Sequence, residues 1–211
     1  MGALRYSAVV LAAGASTRMA GRHKLLLPLG DEPVIRRTVR AVLDAHPAEV
    51  VVVTGSHAPS IEGALHGLDV KVQFNPRHAE GQMTSVAAGV AALGGTCDAV
   101  MVCLGDMALL EATDYSELAQ AFAARSRGAI LVPRRAGIRG NPVVFSSEFV
   151  PEVLAGNRNL GCRKLIANHP EEVFAYEPAH DRFFVDLDTP ADYARLRERL
   201  GLPAERLALA E

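Results

Sequence analysis

Short, almost unbroken apolar runs recur along this chain with longer amphipathic stretches between them, and no other feature narrows the possible folds so much. A run such as Val50-Val51-Val52-Val53-Thr54 has no polar face to turn toward water, so it reads as a strand covered on both sides. Strands are predicted over residues 8–12, 50–54, 70–74, 99–104, 129–132, 143–145, 173–176 and 183–185. Helices are predicted over 34–45, 84–93, 115–124, 148–154, 162–168 and 191–200. In the first of these helices Val34, Thr38, Val42 and Ala45 share a face, while Arg36, Arg37 and Arg40 lie elsewhere. The last opens with Thr189-Pro190, a cap residue followed by a proline at the first helical position. This β-α-β-α rhythm predicts a doubly wound, mostly parallel α/β sheet of Rossmann-like type. Closely spaced strands after Ile138 predict a mixed second half. No repeat or linker divides the 211 residues, so 1–202 read as one domain and 203–211 as a short tail.

Composition removes several function classes. A formal charge of -2 gives no global attraction to nucleic acid, so any anionic ligand must be held by local cations. No tryptophan and 5% aromatic residues argue against a stacking platform for single strands as well. Cys97, Cys103 and Cys162 stand apart without a CxxC or CxxxH partner, as expected of free thiols in a reducing compartment. No segment approaches the ~20 apolar residues of a membrane-spanning helix. The apolar stretch 8–13 falls short of a signal-peptide core and leads straight to Arg18 and Lys24. Tyr6 stands at the Ser/Thr position of a myristoylation signal. These readings predict a cytoplasmic protein.

In open α/β sheets, ligands bind outside the carboxyl ends of the strands. That rule selects the loops after Ala12, Leu104 and Val185. The first reads Leu11-Ala12-Ala13-Gly14-Ala15-Ser16-Thr17-Arg18, with Lys24 beyond it. Small residues let backbone N–H groups approach phosphate oxygens, and Arg18 and Lys24 can add charge-assisted contacts. The spacing is neither a Walker A loop nor a dinucleotide GxGxxG. From the residues alone, a small-residue turn with solvated cations stays open. After the second strand end, Asp106 offers either a ligand for a hard cation or a cap for the next turn. After the third, alternation puts Asp186 and Asp188 on one side, where they can share a cation, although Asp188 or Thr189 can also cap the helix. Elsewhere His23, His57, His66, His78, His169 and His180 have no metal-ligand spacing and read as surface residues.

The wording Leu-Ala-Ala-Gly-x-Ser-x-Arg-Met, then Lys24, then Leu-Leu-x-Pro-Leu-Gly, closely resembles the signature of the MobA/MocA-like nucleotidyltransferases. The resemblance runs from Leu11 to Leu196 and implies the nucleotide-diphospho-sugar transferase type of fold, with nucleotide binding by Leu11, Ala12, Ala13, Gly14, Ser16, Arg18, Lys24, Gly81 and Ser85. It implies Mg²⁺ as the cofactor, held by Asp106, Asp188 and Asp186, with Arg18, Lys24 and Asp106 as catalytic residues. The Ala-Ala-Gly start is similar to the cytidylyltransferase branch, so CTP is expected over GTP. Gly140-Asn141-Pro142 and Gly161-Cys162-Arg163 resemble the family's acceptor-side elements, which gives Gly140, Asn141, Pro142 and Arg163 as acceptor contacts. The implied acceptor is the molybdenum cofactor, with transient contact to a molybdenum hydroxylase or its maturation factor, and with no nucleic acid or membrane partner. Two departures stand out. One extra residue separates Arg18 from Lys24, and Ala108 replaces a proline two residues after Asp106, which is expected to loosen that loop. Alternatives to this reading are a sugar or polyol phosphate as acceptor, GTP as donor, and a non-catalytic carrier of the cofactor.

Overall fold

In a computed structural model of the chain, residues 4–19, 21–155 and 162–203 are described. Gly161 and the tail from residue 204 lie outside them. Ten strands form in chain order: β1 (Tyr6–Ala12), β2 (Pro28–Leu29), β3 (Glu32–Pro33), β4 (Val50–Thr54), β5 (Lys71–Phe74), β6 (Ala99–Leu104), β7 (Ile130–Arg135), β8 (Ile138–Arg139), β9 (Val143–Ser146) and β10 (Val173–Tyr176). The α-helices are α1 (Val34–Leu43), α2 (Ala58–Leu65), α3 (Gln82–Ala92), α4 (Ala112–Ala123), α5 (Val150–Leu154), α6 (Cys162–Asn168) and α7 (Pro190–Arg199).

The main sheet has the order β10-β7-β9-β6-β1-β4-β5, with β8 paired to β7. Strands β6, β1, β4 and β5 are parallel, whereas β9 runs antiparallel to both β6 and β7. The mixed second half predicted from the spacing of its strands is therefore present. Alternate residues of β1 feed two cores. Ala8, Val10 and Ala12 pack with α1, α4 and α7 on one face, and Val9 and Leu11 pack with α3 and α5 on the other. Burying each valine contributes roughly 1.5–3 kcal/mol, which is why the all-apolar runs settle in the centre of the sheet.

Besides the two-residue strands β2, β3 and β8, which were not predicted, two elements differ from expectation. The stretch 183–185 is not a strand. Arg182–Phe184 form a 3-10 turn that drives Phe183 into the core. Helix α2 was not anticipated, because Pro59 and Gly63 obscure its pattern. Among the described residues, no helix is long and apolar enough to cross a membrane.

Candidate active site

The carboxyl ends of β1 and β6 lie side by side, and the amide of Gly105 donates to Leu11 O at 3.0 Å. Leu11 and Ala12 are interior β1 residues, so the loop proper starts at Ala13. Ser16 takes a positive φ of 54°, and its carbonyl accepts from the amide of Met19 at 3.1 Å. Met19 anchors the loop in the core, and Arg22 N donates back to Met19 O at 3.0 Å. These turns absorb the extra residue between Arg18 and Lys24. Lys24 N then donates to Ser16 Oγ at 3.1 Å, which points the lysine side chain across to β6.

There its Nζ lies 2.5 Å from Asp106 Oδ2 and 2.9 Å from Asp188 Oδ1, while Arg18 Nη2 lies 2.8 Å from Asp188 Oδ2. Three loops far apart in sequence thus meet at one ammonium. Neither aspartate caps a helix. Glu111 caps α4, and α7 is closed by a capping box between Thr189 and Asp192. Asp188 is left free to face Lys24, and its backbone N–H is held by Asp192 Oδ2 at 3.2 Å. Exposed Asp186 and half-buried Asp188 flank buried Leu187, as the alternation expected, and the charge of Asp186 is felt at Asp106.

Burial pushes the Asp106 carboxyl up, with Asp186 adding to the effect against the pull of Lys24. Its Oδ1 is buried without a hydrogen-bond partner. Burial opposes the charge on Lys24, but the two carboxylates overcome it and hold its pKa above the ordinary value. Asp188 is also penalised by burial, yet Lys24 and Arg18 keep it below the usual carboxylate value. Two cations against three carboxylates leave the cluster short of positive charge.

The loop after Asp106 is not loosened by Ala108. Residues 107–110 are all buried, and Arg37 Nε donates to Ala108 O at 2.9 Å. His23 is likewise no surface residue. It is buried, its Nε2 lies 2.9 Å from Gly14 O, and its ring sits 4.3 Å from that of His57. This brace, which sequence reasoning missed, ties the start of the loop to its end.

On the β4–β5 side, Ser56 N donates to Ala13 O at 3.4 Å and Asn75 N donates to Thr54 O at 2.9 Å. Asn75 Nδ2 donates to Thr84 Oγ1 at 2.8 Å and to Ser85 Oγ at 3.0 Å, so Ser85 supports this wall from a buried position. Gly81, at φ 117°, turns the chain into α3. At Gly55 a Cβ would fall 2.7 Å from both Ala13 O and the His78 side chain, so only glycine permits this close approach. At Gly14 the reverse holds. A Cβ would meet nothing within 4 Å, and Gly14 is not among the residues with positive φ.

On the other flank, Asn141 N donates to Phe183 O at 3.0 Å, and Gly140 is packed so closely that a Cβ would lie 2.5 Å from the same oxygen. The Gly140-Asn141-Pro142 turn is thereby docked on the segment that supplies Asp186 and Asp188. Arg163 is exposed at the start of α6, with no contact to the Lys24 cluster.

Away from the Lys24 cluster, three metal-type donors lie within 4.8 Å of one another among the described residues, Asp114, Glu117 and His180, a spacing that Asp106, Asp186 and Asp188 do not share. Arg182 Nη2 already stands 3.2 Å from Asp114 Oδ1, and His180 Nε2 lies 2.8 Å from the same oxygen. With a guanidinium in place, this is an ion-pair network that fastens the 180–184 segment to α4.

A doubly wound sheet with lysine, arginine and aspartates gathered at its carboxyl edge suits a nucleotidyltransferase, and the family match gives that class. The chain belongs to the family described as MobA-like NTP transferase domain, which matches residues 8–173. It is 26% identical over 194 residues to the molybdenum cofactor cytidylyltransferase of Escherichia coli, covering 90% of this chain and 95% of that protein. It is 29% identical over 206 residues to the purine catabolism protein PucB of Bacillus subtilis, covering 92% and 96%. A solved nucleotidyl transferase from Methanothermobacter superposes with a TM-score of 0.80 at 28% identity, covering 94% of this chain and 98% of that one.

Proposed function

We propose that the chain transfers CMP from CTP to the phosphate of the molybdenum cofactor with release of pyrophosphate, acting in the cytoplasm through one domain spanning residues 1–202. The observation that carries this reading is the Lys24 ammonium between Asp106 and Asp188, with Arg18 on the outer oxygen of Asp188. An oxygen of the acceptor phosphate attacks the α-phosphorus. The bond from that phosphorus to the bridging oxygen breaks, and pyrophosphate leaves with the electron pair. Such a reaction needs positioning and charge neutralisation, not a side-chain nucleophile. Arg18 and Lys24 hold the phosphates and meet the charge that moves onto the departing pyrophosphate. Backbone N–H groups from Ala13 to Thr17 line the approach. The open side of Gly14 leaves room for a ligand where nothing in the protein calls for a glycine.

Asp106 and Asp188, with Asp186 beside them, are the residues to hold Mg²⁺. All three offer the oxygen donors a hard cation prefers, and Asp106 Oδ1 is buried and unpartnered. When bound, the ion neutralises phosphate charge and orients the reacting groups. Three carboxylates against two cations would otherwise repel a polyphosphate arriving alone. Ala13, pressed between Gly55 and the core, narrows the base side and favours cytosine over guanine, with Gly81 and Ser85 beyond it. The similarity to a cytidylyltransferase over nearly the full length supports the same choice. Gly140, Asn141, Pro142 and Arg163 are assigned to the acceptor side, from which a molybdenum hydroxylase or its maturation factor would collect the product.

The test is incubation with Mg²⁺, each of the four nucleoside triphosphates and purified molybdenum cofactor, followed by mass analysis. A CMP adduct formed with stoichiometric pyrophosphate is the expected product. A GMP adduct overturns the base assignment, and an adduct only with sugar or polyol phosphates overturns the acceptor. If no acceptor gives any product, the chain is a carrier.

A further inference from the structure

The hairpin β7–β8 carries a charge pattern that the nucleotide site does not use. Arg134 and Arg139 are register partners across it, so their side chains leave the same face. Like charges placed directly opposite cost stability in an isolated hairpin. Arg163 lies within electrostatic reach of Arg139. None of the three has a carboxylate partner or a hydrogen-bond acceptor among the described residues. Arg134 and Arg163 are exposed, but Arg139 is half-buried, and a guanidinium withdrawn from water without a partner is costly. Burial and the two neighbouring arginines both press its pKa downward, and Cys162 only partly relieves this. Three arginines beside the site loops have found an acid or a carbonyl: Arg18 pairs with Asp188, Arg37 with Ala108 O, and Arg182 with Asp114 and Glu111.

The place matters as much as the charge. Strand β7 is antiparallel to β9, which is antiparallel to β6, so β7 and β6 end at the same edge of the sheet. With one strand between them, the two ends lie roughly 10 Å apart at about 4.8 Å per strand. One residue beyond Arg139, Gly140 packs against Phe183 O, three residues ahead of Asp186.

We propose that Arg139, flanked by Arg134 and Arg163, is the seat for a terminal phosphate monoester on the acceptor. This deepens the acceptor half of the proposed function and rests on that reading. A phosphate dianion satisfies the half-buried guanidinium and removes the repulsion across the hairpin. It also delivers the attacking oxygen beside the Asp186–Asp188 loop. Acceptors without a terminal phosphate would leave the three arginines unpaired and be rejected.

The experiment uses inorganic phosphate as the probe and the Lys24→Ala protein as the background, so that binding among the Lys24 cluster is suppressed. Titration followed by phosphorus NMR should show salt-sensitive binding that weakens roughly 10-fold or more on adding Arg139→Gln, the loss expected for one charge-assisted contact. Arg139→Lys should recover part of it, and circular dichroism should show both variants folded. In otherwise unaltered protein, Arg139→Gln should raise KM for the phosphorylated acceptor by a similar factor while leaving CTP affinity by calorimetry unchanged. Phosphate binding that ignores Arg139 overturns the proposal. Arginine-dependent phosphate binding with no transfer to the molybdenum cofactor keeps the seat and overturns the proposed acceptor instead.

Discussion

The two flanks of the site solve opposite problems. The flank proposed for the nucleotide, on parallel β1, β4 and β6, has its charges paired internally: Lys24 and Arg18 already hold Asp188, and His23 and Ser16 brace the loop from beneath. The flank proposed for the acceptor, on the antiparallel β7–β9 segment, leaves Arg134, Arg139 and Arg163 without an acid or hydrogen-bond acceptor among the described residues. The first resembles a lock closed by its own charges, which an incoming anion must open by competing with Asp188 for Lys24 and Arg18. The second is an unmet demand for an anion. The difference teaches that charge count alone does not locate a phosphate site. What matters is which cations are already satisfied.

Four sets of changes would break or sharpen that contrast. The largest effect is expected at Asp106. Asp106→Asn should lower product formation on the order of a thousandfold, and Lys24→Ala should lower kcat on the order of a hundredfold, both read by pyrophosphate release. Because Asp106 is held with a raised pKa, keeping it charged at neutral pH opposes folding. The neutral isostere should melt no lower than the unaltered protein, and a clear drop in Tm would mean that the ion pair with Lys24 stabilises the fold. Next is the joint between the flanks. Gly140→Ala, which drives a methyl into Phe183 O, should destabilise by about 1–3 kcal/mol in chemical denaturation. It should also cut turnover, because the Asp186–Asp188 segment shifts with it, and unchanged kinetics would uncouple the two flanks.

A smaller effect belongs to the cap of α7. Thr189→Ala should cost about 1 kcal/mol. Its partner Asp192 is penalised by burial, but Thr189 and Arg195 hold its pKa below the ordinary 3.8. A depressed carboxylate contributes stability that is full above 3.8 and is lost as pH falls through its lowered value. Asp192→Asn should therefore flatten the acid limb of the stability curve below pH 4 and leave its alkaline limb alone. The smallest effect lies in the acceptor hairpin. Ala136 and Gly137 both take positive φ, 49° and 79°, in a two-residue turn that favours asparagine at the first place. Ala136→Asn should raise stability by a few tenths of a kcal/mol, visible as a small shift in Tm, without touching CTP binding.

Much of the framework was legible in the sequence because burial on both faces leaves no ambiguity in a run such as Val50-Val51-Val52-Val53. Helix α2 was hidden by Pro59 at its start and Gly63 within it, a pattern of weak amphipathicity that reads as loop. At 183–185 three apolar residues imitated a strand, yet only Phe183 is fully buried and the backbone turns to place it there. In the site, the wording of the first loop marked Lys24, and the structure brings Lys24 to Asp106 and Asp188. The role of His23 was not legible, since a lone histidine gives no sign that its ring will donate to a backbone carbonyl nine residues earlier. Arg139 was equally silent. Its meaning lies in having no acid partner among the described residues, which no linear pattern records.

The Lys24–Asp188 pair spans 164 residues of sequence and the Arg18–Asp188 pair spans 170. Proteins are made from the amino end, so Lys24 and Asp106 leave the ribosome long before Asp188 does. Helix α7 is what brings Asp188 home, because Tyr193 donates to Pro28 O and Arg197 reaches the same carbonyl at 3.3 Å. Until residue 188 has been made, a nascent chain therefore carries its Arg18–Lys24 loop with one jaw missing. It gains the complete grip only when α7 closes over the strand that follows that loop.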